Sequence, residues 1–244
     1  MTLHRIETGD GAALHVEEDG AGPALFLVNG AFCTVRQWDR VVPALAKRFR
    51  VIRHDIRGSG RSGPGPDEGY TFARYVEDVL AIASALGIDQ AMVWGMAWGA
   101  RVALWCAADH PERFTRCVLS DLGIDPADVK AQRAGVKAAR AAMAEAGVEL
   151  PNLPEGWNVH DNVDATKQAM AATLAYPDLM PWVERVRCPV LIATGEHDPN
   201  LASSRRALAG FADARLEVLA LTGHGSVLAR PNYVRETVER FLQA

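Results

Sequence analysis

No long apolar run occurs in this chain. None of its 244 residues lie in a stretch approaching the ~20 apolar residues that span a bilayer. The opening Met1-Thr2-Leu3-His4-Arg5-Ile6-Glu7 also lacks the apolar core of a signal peptide. A cytoplasmic protein with no membrane partner is the simplest expectation. Neither sign of charge is in excess, since 26 Lys and Arg against 30 Asp and Glu leave a net charge of −4. The basic footprint of a nucleic-acid binder is therefore missing. Cysteine is scarce: Cys33, Cys106, Cys117 and Cys188 are scattered, form no C-x-x-C pair and have mostly apolar neighbours. They read as buried free thiols, not as a disulfide frame or a zinc site. No cluster of His, Cys and Asp has ligand spacing, so neither a metal nor another cofactor is expected. Internal repeats are absent, and nothing in the letters sets an oligomeric state.

What is present is the material of one α/β domain over residues 1–244, with 49% hydrophobic residues. Strand-like runs at residues 3–7 and 13–17 flank Thr8-Gly9-Asp10-Gly11, a hairpin turn sequence. Ala24-Leu25-Phe26-Leu27-Val28 is continuously apolar, as in a strand covered on both faces. Further strands are expected at 51–53, 91–94, 117–120, 190–194 and 216–219. Helices are expected at 36–49, from a Thr71 cap to Gly87, after residue 97, and from Pro231 to Leu242. Such alternation implies a mostly parallel, doubly wound sheet with helices on both faces. Residues 122–186 break the pattern with Ala-rich helical segments interrupted by Pro151, Pro154, Gly156 and Pro177, and read as an inserted short helical lid.

The organising stretch is Val93-Trp94-Gly95-Met96-Ala97-Trp98-Gly99-Ala100. A strand there enters a tight turn that opens directly into a helix, with glycines two residues either side of position 97. This is the spacing of a nucleophile elbow, G-x-S-x-G, with alanine where the serine would stand. Four more landmarks lie in order along the chain: Asn29-Gly30-Ala31-Phe32 with Trp38, the D-x-R-G-x-G-x-S loop at residues 55–62, Gly195-Glu196-His197-Asp198, and Gly223-His224-Gly225. Together they resemble the α/β-hydrolase fold family, whose order is nucleophile, acid, histidine.

That resemblance implies an eight-stranded sheet and acyl-transfer chemistry. A serine at 97 would be deprotonated by His224 and attack an ester-like carbonyl, while Asp198 would hold the imidazole tautomer. The backbone N–H groups of Trp98 and of Ala31 or Phe32 would face the oxyanion, and alanine at 97 leaves those donors intact. Asp121 is a competing acid that reads first as a helix cap or lid anchor, Asp55 and Arg57 as a structural ion pair. Asn29 stands where the family usually has His. Cys33 is the first substitute nucleophile to consider, although its setting suits a small buried thiol.

Trp157, Met180 and Trp182, with Met170, Leu174 and Tyr176, offer an apolar lining for a small-molecule ester or lactone substrate, or simply pack the lid onto the core. Lys130, Arg133, Lys137 and Arg140 form one basic helical stripe, read as a solvated face. Three functions follow. The first is an ester or lactone hydrolase whose nucleophile is replaced in an inactivated variant. The second is a cofactor-free lyase or oxygenase with native Ala97 and His224 as base. The third is a non-enzymatic small-molecule binder.

Overall fold

The computed structural model describes residues 1–66, 69–174 and 178–244, without the side chains of 172–174. Tyr176 lies outside the described residues, as does the Leu174 side chain. Eight strands among the described residues form one sheet: β1 (Thr2–Glu7), β2 (Ala13–Asp19), β3 (Ala24–Val28), β4 (Arg50–His54), β5 (Ala91–Met96), β6 (Phe114–Ser120), β7 (Val190–Gly195) and β8 (Ala214–Leu219). Their order is β1-β2-β4-β3-β5-β6-β7-β8. The β1–β2 hairpin and the β2–β4 pair are antiparallel, and every other pair is parallel.

The parallel strands β3, β5 and β7 are buried throughout, which is why their sequences run apolar without alternation, whereas the edge strand β8 is largely exposed and alternates. Along β3, Ala24, Phe26 and Val28 join one apolar cluster with α2 (Phe72–Ala85) and α3 (Trp98–Asp109). Leu25 and Leu27 join the opposite cluster with Trp38, α1 (Val42–Leu45) and the carboxyl-terminal helix, Pro231–Leu242. Full burial of one such leucine contributes about 1.5–3 kcal/mol. The helix from the Thr71 cap forms as expected, with Thr71 Oγ1 accepting from Arg74 N–H at 3.2 Å.

The single helix expected over 36–49 is two short pieces. A 3-10 turn, Val35–Trp38, capped by Thr34 is followed by α1 carrying Pro43 in its first turn. Proline has no N–H to donate back and disfavours helical backbone before it, so it starts a helix more readily than it continues one.

Between β6 and β7 lie α4 (Val129–Glu145), α5 (Val163–Leu174) and α6 (Met180–Val183). Asp128 caps α4, accepting from Ala131 N–H at 2.9 Å. Two kinds of contact hold this connection to the rest. Helix α4 sits directly on the loops after β7 and β8: a Cβ on Gly135 would meet His197 O at 2.0 Å, and one on Gly223 would meet Val136 Cα at 2.9 Å. Residues 156–166 are tied by single hydrogen bonds. Thr34 N–H donates to Trp157 O at 2.7 Å, Asp161 N–H to Gly60 O at 2.9 Å, and Thr166 Oγ1 to Gly58 O at 2.8 Å. After β7 come α7 (Asn200–Leu208), and after β8 α8 (Ser226–Ala229) and α9 (Pro231–Leu242). No helix among the described residues is long and apolar enough to cross a membrane.

Candidate active site

Ala97 stands between β5 and α3 with φ 53° and ψ −110°. That left-handed region costs a residue with a Cβ about 1–2 kcal/mol, and the Ala97 N–H bond to Ser120 O at 2.8 Å helps hold it there. The flanking glycines are required by space. A Cβ on Gly95 would lie 2.1 Å from Gly99 O, and one on Gly99 would lie 2.3 Å from Val28 O. Strand, turn and helix thus close on backbone, and the position-97 side chain is left at the sheet's carboxyl edge.

The loops after β7 and β8 bring Asp198 and His224 to that edge. Asp198 is 3% exposed. Its Oδ2 takes the His224 Nδ1 hydrogen bond at 2.9 Å, and its Oδ1 accepts from Asn200 N–H at 2.9 Å. An ionised carboxylate only accepts, so Nδ1 carries the proton and Nε2 is the nitrogen available for proton traffic. Burial alone would lower the imidazole's proton affinity. The bond to Asp198 and its charge outweigh burial, Asp121 adds to them, and the nearby Arg101 charge opposes, leaving His224 above its ordinary value.

Asp121 takes the other place. It is fully buried at φ 55°, and its Oδ2 accepts from Gly225 N–H at 3.1 Å and Ser226 N–H at 2.8 Å. It therefore anchors the histidine's own loop and caps the amino end of α8, in keeping with the helix cap expected. Burial, reinforced by the neighbouring Asp198 charge, pushes its carboxyl up to about 7.

A cavity of about 420 Å³ is lined by Ala31, Phe32, Ala97, Trp98, Trp157 and His224, among others. Six of the expected site residues thus share one space. The Phe32 N–H is taken up by Met170 Sδ at 3.3 Å. Met180 and Trp182 are not among the lining residues. Trp182 stacks on Trp105 of α3, centroids 4.1 Å apart, and Met180 packs against the same apolar cluster, so both fasten α6 to the sheet's outer helices. Cys33 lines the cavity, and burial pushes its thiol up to about 12, which keeps it a neutral, poor nucleophile.

One further expectation is corrected. Arg57 does not pair with Asp55. It bonds Asp78 of α2 and Asp10 of the first hairpin, both at 2.7 Å, while Asp55 accepts from Val35 N–H at 2.7 Å and Arg61 N–H at 2.9 Å. An extended strand would put residues 55 and 57 on one face, but the chain turns at residues 57–58, with Gly58 at φ 72°, and each side chain finds partners on a different element. The basic stripe on α4 is exposed at all four positions, as expected, and two of its residues also border cavities, Arg133 the 420 Å³ one and Arg140 a second. Asn29 fills the position of the family's histidine, donating to His54 O at 3.0 Å and accepting from Trp38 Nε1 at 2.8 Å.

This architecture has counterparts. A family model described as alpha/beta hydrolase fold matches residues 23–139. A hydrolase structure from Pseudomonas aeruginosa superposes with a TM-score of 0.81 at 29% identity, over 100% of this chain and 99% of that one. The chain has the α/β-hydrolase fold. A further relative is 3-oxoadipate enol-lactonase 2 of Acinetobacter baylyi, 25% identical over 91% of this chain and 89% of its own. The enol-lactonase structure from Burkholderia xenovorans shares the fold, with a TM-score of 0.81 at 24% identity and full coverage of both chains.

Within this α/β-hydrolase fold, sequence reasoning passed over two groups. Arg101, one turn into α3, is 5% exposed, lines the cavity and donates to Gly123 O at 2.8 Å and Asp125 O at 3.2 Å. A lone cation in an otherwise apolar helix was the available signal. His160 joins three loops, its Nδ1 accepting from Gly60 N–H at 2.9 Å and its Nε2 donating to Phe32 O at 3.2 Å. No motif marks it.

Proposed function

We propose that this chain carries the site of a carboxylic-ester or lactone hydrolase in which Ala97 occupies the nucleophile's place. The observation that carries the reading is the His224–Asp198 pair, bonded at 2.9 Å and opening on the same cavity as Ala97. With serine at 97, His224 Nε2 takes the hydroxyl proton as Oγ attacks the substrate carbonyl, and Asp198 stabilises the imidazolium. The amides of Ala31 and Trp98 face the oxyanion, a contribution of roughly 3 kcal/mol per donor. His224 then returns the proton to the leaving alkoxide, and water releases the acyl group by the reverse sequence. Trp157 and the β6–β7 connection act as the lid. The lactonase and hydrolase names of the relatives agree with this class of substrate.

Ala97→Ser is expected to hydrolyse 4-nitrophenyl butyrate with a burst, and adding His224→Ala is expected to abolish it. No gain with any activated short or medium acyl ester would overturn the reading. A second reading rests on the same bonded pair: with alanine in place, His224 acts as a base toward water or substrate without a covalent intermediate. It requires turnover by the chain as it stands, lost in His224→Ala.

A further inference from the structure

The His224 imidazole lies where two cavities meet. The 420 Å³ lobe and a second of about 280 Å³ share Trp157, His224, Gly225 and Leu228. Their other walls differ in kind. The smaller lobe is lined by Val136, Met143, Leu150, Pro151 and Leu153, with Arg140 at its side. The larger one contains Arg101 and Arg133 together with Gln132 and Asn200, and no Asp or Glu is among its described lining residues. Arg101 is nearly buried, held by the carbonyls of Gly123 and Asp125, and rises from α3 four residues after Ala97. Arg133 comes from α4, on the face that carries Val136 and Met143. Two helices from different parts of the chain thus bring arginines to one cavity, Arg101 nearly buried and Arg133 exposed, while the apolar lobe has Arg140 alone.

We propose that the substrate is amphipathic: an ester or lactone with a carboxylate received by Arg101 and Arg133 and an apolar group received by the Met143–Leu153 lobe, its carbonyl between them at position 97. A guanidinium fork matches a carboxylate in geometry and charge, and the burial of Arg101 strengthens its share of that match, with Arg133 adding a more exposed charge. The apolar lobe offers the complementary, undirected half of the recognition. This deepens the hydrolase reading and rests on it for the position of the carbonyl.

The test uses the chain with Ala97, so that binding is measured without acyl transfer. Benzyl hydrogen succinate, an apolar ester with one free carboxylate, is titrated by calorimetry at pH 7.5 beside its neutral counterpart, benzyl methyl succinate. The monoanion is expected to bind about tenfold more tightly. That preference is expected to vanish in Arg101→Gln, to survive in Arg101→Lys and to fall by about threefold in Arg133→Gln and with added salt. If Arg101→Gln fails to fold, Arg133→Gln and the salt series decide. Equal affinity for the two probes, binding of neither at millimolar concentration, or a preference indifferent to salt and to both Arg→Gln changes would overturn the proposal. Hydrolysis of the two esters by Ala97→Ser separates the two readings. Cleavage of both at the same kcat/KM keeps the hydrolase and removes the anionic substrate. Tight, arginine-dependent binding of the monoanion with no cleavage keeps the anion lobe and removes the hydrolase.

Discussion

The carboxyl-edge loops and the β6–β7 connection both line the candidate site, yet they are built differently. At the edge, Gly95, Gly99 and the buried Asp121 close on backbone with no slack, and the reactive positions are fixed by atoms that cannot rotate. In the connection, residues 156–166 are fastened by single side-chain and main-chain hydrogen bonds to the loops after β3 and β4. The difference teaches where change is tolerated: on the proposed function, chemistry is placed on the rigid part and selection of what enters on the part that can be re-trimmed.

Gly95→Ala strikes that contrast hardest. Its Cβ would meet a carbonyl, not a flexible side chain, so urea unfolding should show a loss of about 3 kcal/mol or more. Gly135→Ala tests whether α4 belongs with the rigid part. Because a Cβ there would meet His197 O at 2.0 Å, it should cost about 2 kcal/mol and also lower the esterase activity of Ala97→Ser. A loss below about 0.5 kcal/mol would return α4 to the loosely held side of the comparison.

Asp121→Asn separates anchoring from charge. The carboxyl titrates at about 7 when folded against 3.8 otherwise, so the folded chain holds this proton more tightly. Its stabilising contribution is complete below about pH 4 and is lost as pH rises through 7. Asparagine keeps an acceptor for the Gly225 and Ser226 amides and tolerates φ 55°. The stability of the variant relative to the parent should therefore rise from pH 4 to 7, read from urea midpoints. Thr166→Val removes the bond to Gly58 O, at about 1 kcal/mol, and should raise KM more than it lowers kcat in the Ala97→Ser background. Lys137→Gln, on the solvent side of α4, should change the urea midpoint by under about 0.5 kcal/mol.

The sheet was legible in the letters because parallel strands write themselves as continuous apolar runs. The elbow was legible because two glycines four residues apart exclude most other backbones. Asp198 and His224 could be picked out because each follows a strand end within a short glycine-marked loop. Partners of side chains were less legible. The Asp55–Arg57 pairing suggested by proximity in sequence failed, since each group could reach a better partner from another element. Trp182 and Met180 show the same limit. An apolar residue in the connection is equally suited to a cavity wall or to packing, and only the placement of α6 against Trp105 decides. Which members of the basic stripe border a cavity depends on which side of α4 meets the loops, and Arg133 and Arg140 do so while staying exposed like Lys130 and Lys137.

The contact at Gly135 has a mechanical consequence. Because this glycine lies against the carbonyl of His197, next in the chain to Asp198, α4 cannot settle further onto the sheet edge without pushing on the segment that bonds the imidazole. A bulkier side chain on that side of α4 would reach the His224 loop as well as the cavity, so a descendant of this chain seeking larger substrates would do better to trim side chains such as Met143 than to add bulk at the contact.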